Sequence, residues 1–264
     1  SYLHNLQPEI ICSKMVKPCG IGESAAETKI LDLINTQKNP TVAPYAKTGE
    51  VHLRITAKAA NEKDAFTMIA PMEEELKRRF GNLIYTDDPQ VTLEMVVAKL
   101  LKKYHFTVTT AESCTGGLLA ARLVNVSGIS ENFKEGYITY SNDAKEKLLG
   151  VSHETLKTYG AVSSQTAAEM AEGGAKAAKV DICVSITGIA GPEGGTEEKP
   201  VGLVYIGCYC KGKVYTKKNL YTGNRSKIRE YSVATALTLL RKAILNEVNE
   251  RNEKTTRNLN KMNK

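Results

Sequence analysis

The sequence predicts an α/β protein: a larger C-terminal domain on a mixed sheet, preceded by a small α/β domain. Three observations carry that expectation. Strand-like runs alternate with helix-period segments, which favours crossover connections between strands. Two neighbouring strand runs, 201–210 and 213–220, turn at Lys211-Gly212 and add antiparallel pairing to the same sheet. The chain has 264 residues, 42% hydrophobic and 25% charged, enough to bury one large core or two modest ones and too apolar for a disordered chain.

Taken in order, Ser24-Ala25-Ala26-Glu27 reads as a capping box. Ile30, Leu31, Leu33 and Ile34 then form a short amphipathic helix ending near Asn35. Asn39-Pro40 and Ala43-Pro44 punctuate the chain, and Val51, Leu53 and Ile55 alternate with polar neighbours as a half-buried strand. A helix over 62–80 is stopped by Gly81, with Pro71 expected to divide or kink it. A short strand over 83–85 leads to Asp87-Asp88-Pro89, which sets the boundary between a domain at 1–89 and one at 90–248.

The larger domain opens with a helix over 91–104, whose Leu93, Val96, Val97, Leu100 and Leu101 recur at helical spacing. A strand over 105–110 turns at Gly116-Gly117 into a helix over 118–125. A strand over 136–140 leads into a helix beginning near Ser141 or Asn142. An alanine-dense helix over 164–179 precedes a buried strand over 180–187 and a glycine-rich segment at 188–195. A closing helix over 226–248 places Ile228, Tyr231, Ala234, Leu237, Leu240 and Ile244 on one face. The polar, Asn-rich tail over 249–264 is expected to fray or be disordered.

Composition narrows function by exclusion. No apolar run approaches the roughly 20 residues of a membrane span, and the N-terminus carries no secretory pattern, which argues for a cytoplasmic protein without a membrane partner. Six cysteines form no CxxC pair and the four histidines lie at no ligand spacing to them, so reduced thiols and no metal site are expected. The net charge of +7 suits nucleic acid or an anionic small molecule and selects neither. Absence of Trp and an aromatic content of 6% argue against base stacking.

Three segments are suited to chemistry. In Thr109 to Gly117, a strand-turn-helix presents Ser113 beside free backbone amides able to hold an oxyanion, although a plain helix cap by Ser113 or Thr115 is the commoner role of such residues. Cys114 is a rival nucleophile whose ordinary role is packing. Lys145 sits in the first turns of a helix that starts where a strand ends. In a parallel arrangement that end shares an edge with the Ser113 turn. A desolvated lysine at a helix N-terminus can act as a base, whereas most lysines are solvated. The glycines at 188, 191, 194 and 195 permit an anion nest or a plain surface loop, and match neither a Walker A loop nor a dinucleotide fingerprint, so no cofactor is read from them. Lys199 and Arg225 are available cations.

The combination is more specific than its parts. Thr110-Ala111-Glu112-Ser113-Cys114-Thr115-Gly116-Gly117, Tyr140-Ser141-Asn142-Asp143-Ala144-Lys145, Gly188-Ile189-Ala190-Gly191-Pro192-Glu193-Gly194-Gly195 and Lys199-Pro200-Val201-Gly202 together resemble the C-terminal domain of the competence/damage-inducible CinA family, over 91–246. Residues 12–88 resemble the family's small KH-like domain, although Gly20-Ile21-Gly22 is too short for the GxxG clamp of a nucleic-acid-binding KH module. The family's molybdopterin-binding-like N-terminal domain has no counterpart in these residues, and Tyr2-Leu3 is expected to be its last remnant. The resemblance implies a metal-independent serine–lysine amidohydrolase that converts nicotinamide mononucleotide to nicotinate mononucleotide and ammonia, a role in pyridine nucleotide salvage, no cofactor and a homodimer. It makes Ser113 the nucleophile and Lys145 the base, with Tyr140 matched in the same motif as a bridge between them. Thr115, Gly116 and Gly117 are the expected oxyanion donors. Asn142, Thr187, Gly188, Ala190, Gly191, Gly194, Gly195 and, more weakly, Arg225 are candidates for ribose and phosphate contacts. The competing readings are a catalytically silent pyridine-nucleotide-binding protein, a nucleic-acid-associated scaffold and Cys114 chemistry.

Overall fold

The computed structural model describes residues 9–262, so Tyr2-Leu3 and the last two residues of the tail lie outside the described residues. The chain divides into two compact units, Ser1–Thr92 and Leu93–Lys264.

The first unit contains β1 (Ile10–Pro18), α1 (Glu23–Thr36), β2 (Thr41–Lys47), β3 (Glu50–Ala59), α2 (Glu62–Phe80) and β4 (Ile84–Thr86). Its antiparallel sheet has the order β2-β3-β1-β4. Strand alternation puts Leu53, Ile55 and Ala57 of β3 on one face, where they bury against Ile30 of α1 and Ile69, Leu76 and Phe80 of α2. The capping box does not form. Glu23 is already the first helical residue, Gly22 is the cap, and Ser24 lies inside the helix, where its carbonyl accepts from Thr28 Oγ1. Pro71 does not break α2. Both it and Thr67, whose carbonyl loses its helical partner, lie on the exposed side, where water can replace the missing N–H. The stretch read as punctuated by Pro44 is strand β2, and it tolerates proline because it is the sheet edge.

The second unit contains α3 (Leu93–Tyr104), β5 (Val108–Glu112), α4 (Leu118–Val124), β6 (Phe133–Ile138), α5 (Asn142–Leu149), α6 (His153–Tyr159), α7 (Ser164–Ala178), β7 (Ile182–Gly188), β8 (Leu203–Cys210), β9 (Lys213–Leu220) and α8 (Arg225–Met262). Its sheet is mixed, with the order β6-β5-β7-β8-β9. β5 pairs parallel with β6 on one side and β7 on the other, and β7-β8-β9 are antiparallel. The C-terminal ends of β5, β6 and β7 therefore share one edge, and strand order reverses at β5, the arrangement that opens a crevice in α/β sheets. β7 is buried along almost its whole length. Ser185 hydrogen-bonds Ala167 of α7, while α8 packs against β7 and β8.

Two boundaries moved for physical reasons. His105 adopts a left-handed φ of 55° at the end of α3, so β5 starts later than expected and runs to Glu112, immediately before Ser113. The closing helix does not end at Val248. It continues to Met262, supported by the i,i+4 pairs Glu247–Arg251 and Glu253–Arg257. No helix among the described residues is long and apolar enough to cross a membrane.

Candidate active site at the strand ends

Ser113 sits one residue beyond β5, and its amide still reaches Ile186 O of β7 at 2.9 Å. The chain then turns sharply: Gly116 N donates to Ser113 O at 3.0 Å, and Gly116 and Gly117 take φ of 58° and 92°. Those angles favour glycine, which explains the pair in the motif. Beneath the turn lies Glu112, fully buried. Its Oε2 accepts from the amides of Gly117 (3.1 Å) and Leu119 (3.0 Å), and its Oε1 from Ala120 (2.9 Å). This side chain satisfies the first amides of α4, which would otherwise be unpaired.

That arrangement corrects the expected oxyanion donors. The Gly117 amide is held by Glu112 and the Gly116 amide by Ser113 O, so neither faces a substrate. Among the described residues, the amides of Cys114 and Thr115 are the two in this turn that no carbonyl or carboxylate occupies.

Lys145 comes from α5, whose N-cap is Ser141, with Oγ accepting from Ala144 N at 3.1 Å. The lysine lies in the first turns and points back toward the strand edge. Its Nζ is 3.2 Å from Ser113 Oγ and donates to the carbonyls of Thr139 (2.9 Å), Tyr140 (3.3 Å) and Ser141 (3.4 Å). The residue is 1% exposed, and none of these partners carries a charge. Burial without a counter-ion pushes the ammonium pKa down from 10.5. The approach of α5 to α7 that sets this position depends on glycine: a Cβ on Gly173 would lie 1.7 Å from Leu149 O.

Tyr140 does not bridge nucleophile and base, because Ser113 and Lys145 meet directly. Its carbonyl faces Lys145, while its exposed hydroxyl accepts from Arg225 Nη2 at 3.2 Å. Arg225 also donates from Nη1 to Gly191 O at 2.8 Å, tying the glycine-rich loop to the Tyr140 strand end. The structure thus brings Ser113 to Lys145 and Tyr140 to Arg225 and Gly191. Asn142 is exposed at the first position of α5. Thr187 is buried and spends its hydroxyl on Ala161 O at 2.7 Å, so it braces β7 rather than facing the nucleophile. A Cβ on Gly188 would meet Leu203 O and Val204, and one on Gly191 or Gly195 would meet Val201, so three of the four loop glycines are required by the protein's own packing. Gly194 has room around it and Ala190 is buried. Lys199 donates to Tyr159 O at 2.6 Å at the end of α6. Cys114 is buried, and desolvation pushes its thiol up to about 11, which keeps it protonated near neutrality.

The sequence reading missed three residues. Glu112 left only the hint of an acid directly before a helix-starting turn. Thr139, whose carbonyl makes the shortest contact to Lys145, left no signal. Arg229 donates to Thr115 O at 2.7 Å and is separated from it by 114 residues.

Comparison with known proteins gives a consistent picture. Residues 90–244, more than half of the chain, match the CinA C-terminal domain, and residues 13–86 match the KH domain of damage-inducible protein CinA. A Clostridium novyi (strain NT) protein whose name carries the words competence-damage inducible is 53% identical over 244 residues, covering 92% of this chain and 59% of its own length. A CinA-like protein of Kosmotoga olearia is 52% identical with the same coverage. The chain therefore spans about three fifths of the curated relatives it matches. Among solved structures, the competence/damage inducible protein CihA of Agrobacterium tumefaciens is 43% identical with a TM-score of 0.56, covering 57% of this chain and 93% of that one. A CinA superfamily protein of Escherichia coli is 38% identical with a TM-score of 0.54, covering 56% and 88%.

Proposed function

The chain belongs to the CinA family, and from that premise we propose that its second unit is a metal-independent amidohydrolase converting nicotinamide mononucleotide and water to nicotinate mononucleotide and ammonia. The observation that carries the reading is the Lys145–Ser113 contact: a buried lysine, caged by carbonyls and without a counter-ion, within hydrogen-bond reach of a hydroxyl at a strand end. A neutral amine there can donate to the carbonyls and accept the Ser113 proton on its lone pair.

In the first step Ser113 Oγ attacks the carboxamide carbon as its proton moves to Lys145 Nζ. The oxyanion is stabilised by the Cys114 and Thr115 amides, each such donor contributing on the order of 3 kcal/mol. The tetrahedral intermediate collapses as Lys145 returns the proton to the leaving nitrogen, releasing ammonia and leaving an ester on Ser113. Lys145, neutral again, takes a proton from the water that attacks the ester and returns it to Ser113 Oγ as the ester C–O bond breaks. The acid product gives up its own proton to solvent and leaves as its carboxylate. Arg225 and Asn142, at the rim, are suited to the phosphate and ribose; Arg225 is the group with the charge to pair with a phosphate.

The test is ammonia release from nicotinamide mononucleotide in the presence of chelator. The native chain is expected to turn over, and Ser113→Ala and Lys145→Ala each to lose at least about a thousandfold. A native chain that binds the nucleotide and releases no ammonia would instead be a silent pyridine-nucleotide-binding protein.

A further inference from the structure

We infer that Glu112 is a selectivity residue: its buried charge beneath the Ser113 turn lets a neutral carboxamide settle against the nucleophile and disfavours the carboxylate that replaces it after hydrolysis. The inference rests on the amidohydrolase reading above.

The start of a helix with unpaired amides attracts anions. Here, in front of α4, three of those amides are filled by the protein's own carboxylate, and two more by backbone carbonyls. What remains beside Ser113 is two amides, which meet the oxyanion only while Lys145 beside it carries the transferred proton; a product carboxylate facing the neutral amine meets the fixed negative charge of Glu112 without that compensation. The three donors to Glu112 are all N–H groups, which suits an ionised acid. Burial is the main cause that pushes the Cys114 thiol up; Glu112 adds to it in the same direction, whereas Arg225 and Arg229 pull it down. The charges are therefore divided. Arg225 is exposed at the rim, between Tyr140 and Gly191, and Arg229 lies against Thr115 O, while the negative charge is buried under the turn. A substrate with an anionic phosphate at one end and a neutral amide at the other fits that division; its product, anionic at both ends, fits it less well. Glu112 would thereby favour product release without touching the reacting atoms.

The test compares binding of nicotinamide mononucleotide and nicotinate mononucleotide by calorimetry. Three variants of this chain are used: Ser113→Ala, which cannot turn over, and the same variant carrying Glu112→Gln or Glu112→Asp in addition. Ser113→Ala is expected to bind the amide on the order of tenfold tighter than the acid, a modest effect because the Glu112 charge is partly offset by the three N–H groups that donate to it. Glu112→Gln should shrink that ratio toward one by tightening the acid, and Glu112→Asp, which keeps the charge, should restore it. A merely structural role would weaken both nucleotides together, so an unchanged ratio in Glu112→Gln overturns the inference and leaves the amidohydrolase reading intact. If Glu112→Gln fails to fold by circular dichroism, the Ser113→Ala ratio decides, and equal binding of amide and acid overturns the inference. A folded Ser113→Ala chain that binds neither nucleotide would remove the parent reading and this inference with it.

Discussion

Each unit contains a buried lysine held by backbone carbonyls, and the two differ in what else is within reach. In the first unit Lys17 is 4% exposed and donates to the carbonyls of Pro89 at 2.7 Å and Val91 at 2.9 Å. In the second, Lys145 is 1% exposed and donates to three carbonyls, with Ser113 Oγ as its fourth neighbour. Burial lowers the pKa of both. Around Lys17, Lys47 adds to the lowering, Glu50 and Asp88 pull in the opposite direction, and the hydrogen bonds of the amine go to the two carbonyls. Around Lys145 there is no carboxylate contact, and there is a serine. A lowered pKa is thus a property of a buried amine, and it becomes catalytic only beside a proton worth removing.

The sharpest way to break the comparison is substitution of each lysine by methionine. Lys145→Met should lose at least about a thousandfold in kcat/KM. Lys17→Met should keep the kcat of the folded protein and cost about 1–3 kcal/mol of stability, since it orphans two carbonyls. Denaturant titration and initial rates separate the two effects. Equal losses of activity would dissolve the distinction.

Next in size is the alignment of α5. Gly173→Ala must push Leu149 and its helix aside, moving Lys145 away from Ser113. About a ten- to hundredfold fall in kcat is expected, with KM changed far less, because a displacement of about an ångström misaligns proton transfer. A fall confined to KM would contradict the assigned geometry.

pH separates the two lysines again. Each folded pKa lies below the unfolded 10.5, so between those values the unfolded chain holds a proton the folded chain lacks, and stability rises with pH through that window. Methionine at either position should remove part of this slope. Only Lys145 should also govern rate, with kcat/KM falling as pH drops through its folded pKa. The smallest expected effect is at Cys114, whose thiol is held up near 11. Cys114→Ala should change kcat by less than about threefold, with Ser113 the nucleophile; loss of all activity would revive thiol chemistry.

Legibility in the sequence followed the same physics. Periodic helices and the β8–β9 hairpin were readable because burial imposes their patterns locally. β2 was hidden by Pro44, which only its place at the sheet edge permits, and α6 by having Leu156 alone buried. Ser113 and Lys145 lie 32 residues apart, and no spacing rule joins them; the parallel pairing of β5 and β6 does, by ending both strands at one edge. Family resemblance supplied their roles. The expectation that Gly116 and Gly117 donate to an oxyanion failed because Glu112 looks like a solvated acid until the turn folds around it and takes the Gly117 amide, while the same turn closes the Gly116 amide onto Ser113 O.

The central claim is that Lys145 is a neutral base at the pH of catalysis. Its most direct test is an NMR titration of ¹⁵N-labelled lysine Nζ, with Lys145 assigned by its disappearance in Lys145→Met. The account predicts a Lys145 resonance titrating below 10.5 at the pH where kcat/KM turns over. A resonance that stays charged across the active pH range would contradict it.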